Sequence, residues 1–218
     1  MSKLRLFHTS PEEIKKIHSQ GRFGPGLFFA DSPYVTTAAS NPKVYGHEVD
    51  EDEIINASDF EYLEPEDYKK IKHLVKNIMN YTDLDEEDSL ALLSGSNDIH
   101  SMFRELQDYL YYNEEDDEDE DEYEEYQQKK RMKENLESID MAEFDWDLQR
   151  DALLAANILN KRGVGLRDEQ GPSWLINMMD RENQLKHIKD KESRMRFEAF
   201  EDEEENPERS PHNLKFKY

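Results

Sequence analysis

The chain contains no cysteine. That excludes disulfides, thiolate nucleophiles and any zinc or iron–sulfur site built on cysteine sulfur. Basic residues are scarce: 28 Lys and Arg against 52 Asp and Glu give a formal charge of −24 over 218 residues. Such a surface repels phosphate, which argues against direct binding of nucleic acid or of anionic membranes. No apolar run approaches 18 residues, and the opening MSKLRLFHTSPEE lacks an apolar signal core, so a cytoplasmic protein is expected. A GxxxxGK loop is missing, as is a GxGxxG after a strand, so neither a nucleoside triphosphatase nor a Rossmann cofactor domain is supported. No HExxH or paired-His motif suggests zinc, and the seven histidines are scattered; no metal site is expected.

What is present is unevenly spread. Eleven of the twelve residues 114–125 are acidic, a self-repelling block with nothing to bury, and it reads as an exposed linker. Around it lie the signals of an α+β protein, small mixed or antiparallel sheets with flanking helices. KLRLFH (3–8) alternates as a strand, Leu27–Ala30 reads as a buried strand, and a third strand covers Val44 to Asp50. Ser10-Pro11-Glu12-Glu13 has the chemistry of a helix start, as does Asp31-Ser32-Pro33. Helices are predicted over Pro65–Met79, from Asp83–Glu86 through Leu93, over Ile99–Leu110 and over Asp145–Leu159, while Gln128–Ser138 reads as a solvent helix or linker. Val164–Leu166 and Trp174–Met178 read as short strands around a turn at Asp168–Gly171, with a closing segment at Gln184–Ile188. Length and pattern together predict one domain over 1–189, carrying an acidic insertion at 111–140, and a polar, flexible tail over 190–218.

Few residues stand out as chemical. The glycines of GRFGPG fit either a phosphate-facing backbone or a tight turn, and the turn is the commoner use. His8 ends the first strand beside Thr9 and Ser10, where it can serve a substrate hydroxyl or simply sit beside a helix cap. Phe28 and Phe29 fit a core as well as a stacking platform. Asp168 and Glu169 differ from the other carboxylates because they occupy a turn between apolar strands, where a scaffold holds them in place.

Together, FHTSPEEI, GRFGPGLFFADSPYVTTAA and YGHEVDEDEIINASDFEYL resemble, in order, conserved elements of the ADP-ribosyltransferase superfamily, in its His-Tyr-Glu branch. FHTSPEEI, QGRFG, SPYV, DE-x-x-II-x-AS and the late DEQG are similar to the small phage anti-CRISPR ADP-ribosyltransferases. The resemblance covers residues 5–63 and 144–188. It implies NAD as a consumed cosubstrate, with His8 on the ribose, Thr9 on the nicotinamide amide through its backbone, and Ser10 and Gly26 in the same site. Phe28 stands at the signature Tyr position, and Tyr34 is a second ring for stacking. Where the family places its Glu this chain has Ser173-Trp174-Leu175, so the resemblance shifts the catalytic carboxylate to Asp168, with Glu169 in reserve.

The implied reaction is mono-ADP-ribosyl transfer to a host protein, such as a subunit of a type I CRISPR surveillance complex or another nucleic-acid-binding protein. The carboxylate would stabilise positive charge developing on the ribose. This requires His8, Phe28 or Tyr34, and Asp168 to converge on one cleft. The competing reading is a catalytically inactive protein of similar fold that covers a nucleic-acid-binding partner with its acidic surface. The missing Glu and the net charge favour that reading.

Overall fold

A computed structural model of the chain describes residues 2–33, 42–112, 120–168 and 171–188. The expected second helix start beyond Pro33, Tyr34, Glu169, the acidic run at 113–119 and the tail from 189 lie outside the described residues.

The fold is α+β. Among the described residues seven strands form one mixed, mostly antiparallel sheet in the order β4-β5-β6-β2-β1-β3-β7. The strands are β1 (Lys3–Ser10), β2 (Gly26–Ala30), β3 (Lys43–Asp50), β4 (Ile54–Asn56), β5 (Gly163–Asp168), β6 (Gly171–Asn177) and β7 (Lys186–Ile188). Of these strands only β4 runs parallel to its neighbour, pairing with β5 across 109 residues of chain from Ile54 to Gly163. Among the described residues five α-helices follow β4: α1 (Pro65–Thr82), α2 (Glu86–Ser94), α3 (Ile99–Tyr112), α4 (Glu120–Glu137) and α5 (Met141–Ile158).

The helices begin where local chemistry says they should. Asp85 caps α2 by accepting from the Asp88 amide (2.9 Å), and Asp140 caps α5 through the Glu143 amide (3.1 Å). Their apolar stripes meet one face of the sheet. Ile71, Leu74, Val75 and Ile78 of α1 pack with Leu148, Leu153 and Ala156 of α5 onto Val164 and Leu175. Helix α4 contradicts the reading of 120–125 as linker. Its Leu136 is fully buried, and Met132 one turn earlier packs against the same cluster, so an acidic helix is held by its C-terminal half. The opposite face of the sheet is covered more thinly, by Leu6, Phe29, Val49, Ile176 and Met178 under Ile14 and Ile17 of the β1–β2 connection.

That connection does not form the expected helix. Ser10 is the last residue of β1, paired with Lys43, and the residues that follow it are not helical. The amides that a helix would satisfy internally are taken by distant side chains. The Ile14 N–H donates to the Tyr45 hydroxyl (2.9 Å) and the Ile17 N–H to Glu182 Oε1 (2.7 Å). Among the described residues no helix is long and apolar enough to cross a membrane.

Candidate functional site

The sheet opens between β1 and β2. β1 pairs with β3 along its whole length, from Lys3–Asp50 to Ser10–Lys43, but meets β2 in register only at Phe7–Ala30. Past that pair the two strands part, and a side chain occupies the gap. His8 Nδ1 lies 2.7 Å from the Phe28 carbonyl oxygen. A carbonyl only accepts, so Nδ1 carries the proton, and in the neutral ring the lone pair is on Nε2. Burial holds the His8 pKa below its ordinary value, against the pull of the Phe28 hydrogen bond, so the ring is neutral at pH 7. His8 is therefore a half-buried, fixed-tautomer imidazole in a split sheet.

A cleft of about 700 Å³ adjoins the opening. His8, Ser10, Gly26 and Leu27 form its floor, and the connection carrying Lys15, Lys16 and Arg22 forms its wall. The wall is built around a tight turn in which the Gly24 N–H donates to Gly21 O (2.9 Å) and the Gly26 N–H to Phe23 O (3.0 Å); Gly24 has φ +59°. Gly26 allows the turn to lie close: a Cβ there would sit 2.7 Å from Leu153 Cδ2 and 3.0 Å from Phe23 O. Phe23 then packs edge-on to Phe28 with centroids 4.8 Å apart. Of the residues singled out by the family resemblance, His8, Ser10 and Gly26 come together here.

The others are placed differently. Strand alternation puts His8 on the face of Leu6 and Phe29, whose ring is 5.7 Å from the imidazole. Phe28 joins the His8 site only through its carbonyl; its ring packs into the helical cluster and lines a separate cleft of about 770 Å³ under α5 and the α2–α3 loop. Thr9 is buried, and its hydroxyl has no hydrogen-bond partner among the described residues. Ser173, at the position where the resemblance places the Glu, is 8 % exposed, lines the second cleft and has a hydroxyl without a partner among the described residues. Asp168 ends β5 in register with Gly171. Two strands, β6 and β2, separate β5 from β1, so three strand spacings of ~4.8 Å put its backbone about 14 Å from β1. The sequence reading passed over Arg22 and Phe23 as binding groups, although both lie in the QGRFG motif.

A second polar cluster lies beyond the buried Phe29 ring, whose centroid is 5.5 Å from that of His47. His47 of β3 is 3 % exposed and accepts at Nε2 from Arg162 Nη2 (3.0 Å). The same guanidinium donates to Gln184 Oε1 (2.6 Å) and lies 3.5 Å from Glu53. Burial, then the Arg162 cation, pushes the His47 pKa down to about 4. The cluster ties β3 to the start of β5 and to the 182–184 turn.

Among the described residues no group of three or more His, Asp or Glu side chains is placed to hold a metal ion. No protein-family model matches the chain, and no curated protein does. Among solved structures, an anti-CRISPR protein is a weak, partial match. It has 18% sequence identity and a TM-score of 0.42, covering 80% of this chain and 89% of that one.

Proposed function

We propose that the protein is an NAD-dependent mono-ADP-ribosyltransferase acting on a host protein, in the manner of a phage anti-defence effector. The observation that carries the reading is the opening between β1 and β2, with a fixed-tautomer His8 in the gap and Ser10 and Gly26 beside it. The resemblance in the order of FHTSPEEI, QGRFG and DEQG supports it. Bound NAD would supply a glycosidic bond whose cleavage releases nicotinamide and passes ADP-ribose to an acceptor. In this reading the His8 imidazole stands beside the ribose and holds the sugar in place. Phe23 lies on the wall of the cleft with its ring packed edge-on against Phe28. Asp168, or Glu169 next to it, is the carboxylate this reading assigns to stabilising the developing positive charge. The protein target is a nucleic-acid-binding host protein, with a subunit of a type I CRISPR surveillance complex as the first to test.

A second reading has its own observation. Ser173 takes the family's Glu position, and a net charge of −24 suits a protein that competes with nucleic acid for a basic partner. Such a protein keeps the fold without the chemistry. Thermal unfolding with and without NAD separates the two. A ligand held at 100 times its Kd stabilises the folded state by about 2.7 kcal/mol. An upward shift, together with transfer of label from NAD to a protein in host lysate, is expected of the enzyme. No shift at saturating NAD would leave the acidic interaction protein as the reading.

A further inference from the structure

The QGRFG turn contains a cation whose surroundings suit an anion. Arg22 lies at the tip of the turn, between Gly21 and Gly24, and its Cζ is 3.1 Å from the centroid of the Trp146 ring on α5. Stacking occupies the flat face of the guanidinium and leaves its N–H donors pointing outward in the ring plane. Those donors are uncommitted: among the described residues Arg22 is in no ion pair, although the chain carries 52 carboxylate side chains. The turn is also the point where the chain crosses the sheet. Ile17 packs on the thin face, while Phe23 packs into the helical cluster. Arg22 thus stands on the wall of the His8 cleft with Lys15 and Lys16, while Glu12 and Glu13 line the same cleft with the opposite sign.

We propose that Arg22, held flat by Trp146, is the anion-binding residue of this cleft and receives the diphosphate of the dinucleotide. The proposal rests on the NAD reading above and adds to it the group that makes the ligand's charge tolerable. A protein of charge −24 repels a dianionic diphosphate at a distance, so binding needs a local cation. A planar guanidinium offers two parallel N–H donors to phosphate oxygens, which a lysine does not. Trp146 acts on Arg22 alone, as a positioning residue, by removing the freedom that a long side chain loses on binding.

Calorimetric titration of the full-length protein with four probes tests this: NAD, ADP-ribose, nicotinamide riboside and inorganic pyrophosphate. Arg22→Gln keeps a planar side chain and removes the charge. It should weaken NAD and ADP-ribose by about 10- to 100-fold, the loss expected for charge-assisted hydrogen bonds, and leave nicotinamide riboside unchanged. Trp146→Leu should weaken the same two ligands by a smaller factor. Arg22→Gln binding NAD like the wild type, or losing the riboside as much as NAD, overturns the role of Arg22. Trp146→Leu with wild-type affinities overturns the role of the stack. If the wild type binds neither NAD nor ADP-ribose, the NAD reading falls, and pyrophosphate then decides the rest. Pyrophosphate binding that disappears in Arg22→Gln keeps the anion site; no pyrophosphate binding removes it too.

Discussion

Acid should loosen this fold through one buried ring, and the size of the effect follows from its surroundings. The His47 pKa falls from 6.5 to about 4, chiefly because burial disfavours the imidazolium and secondarily because Arg162 lies 3.0 Å from Nε2. At 1.36 kcal/mol per unit, that difference amounts to about 3 kcal/mol. The sign follows from proton counting. Between pH 6.5 and 4 the unfolded chain binds a proton at this position and the folded chain does not. The stabilisation is therefore complete above 6.5, declines as pH falls, and is gone below 4. His8, whose pKa burial also lowers, acts in the same direction. Asp88, Asp145 and Asp151, raised by burial, act oppositely, as does relief of the excess negative charge. A single pH curve thus mixes signs, and the comparison must be with a variant. His47→Gln keeps an acceptor for Arg162 and removes the titration. Urea unfolding at pH 7 and near pH 4.5 should show wild type losing about 2.5 kcal/mol more than the variant over that interval. Parallel losses in the two proteins would refute the reasoning, because they would mean that the imidazolium is accommodated beside Arg162.

Other perturbations have narrower readouts. Gly26→Ala pushes a methyl against Leu153, Leu175 and the Phe23 carbonyl; a loss of about 1–3 kcal/mol from overpacking is expected in chemical denaturation, with weaker protection by NAD. Ser173→Ala removes a buried hydroxyl that has no partner among the described residues, so stability should hold or rise by up to about 1 kcal/mol, and a fall would reveal a hydrogen bond. Asp168→Asn should cut the transfer rate roughly 100-fold with NAD affinity nearly unchanged, since charge stabilisation matters mainly in the transition state; if only Glu169→Gln does this, the two roles exchange. Replacing residues 114–119 with a Gly/Ser segment of equal length should leave basal NAD hydrolysis intact, and a drop in target modification confined to low salt would show that the acidic run steers the partner.

The fold was legible wherever a period was local. The alternation of KLRLFH and the three- and four-residue spacing in PEDYKKIKHLVKNIM are complete within one element, and β1 and α1 appear over those segments. One strand was hidden because its partner is remote, and one helix was legible only in part, as the helix alternative over Gln128–Ser138. β4 is three residues long and has meaning only as the parallel neighbour of β5. The α4 signal was Met132 and Leu136, two apolar positions one turn apart in a polar stretch dominated by its charge, whose pairs Glu125–Lys129 and Lys133–Glu137 favour a helix over a linker. The reverse error, a helix expected after Ser10, arose from a good local cap signal overridden by tertiary bonds to Tyr45 and Glu182.

The site was only half legible, and the reason is the period of a strand. In LFFA, two adjacent phenylalanines necessarily point to opposite faces, and nothing local says which of them faces His8. That depends on the register of β2 against β6, where Phe29 pairs with Trp174 and Phe28 with Leu175, 147 residues further along the chain (175 − 28). The composition of QGRFG announced a turn, but the value of its arginine and phenylalanine emerged only when α5 placed Trp146 beneath one and β2 placed Phe28 against the other. His8 itself was visible as a strand-end histidine. Its state was not, because the Phe28 carbonyl that fixes its tautomer is exposed to it only by the failure of β1 and β2 to pair past Phe7. A ladder that continued would have used that carbonyl for the backbone and left the imidazole no place in the sheet. The opening and the histidine therefore depend on each other, and a His8→Ala chain in which the Phe28 carbonyl lacks its donor should lose about 1–3 kcal/mol of stability as well as any ribose contact.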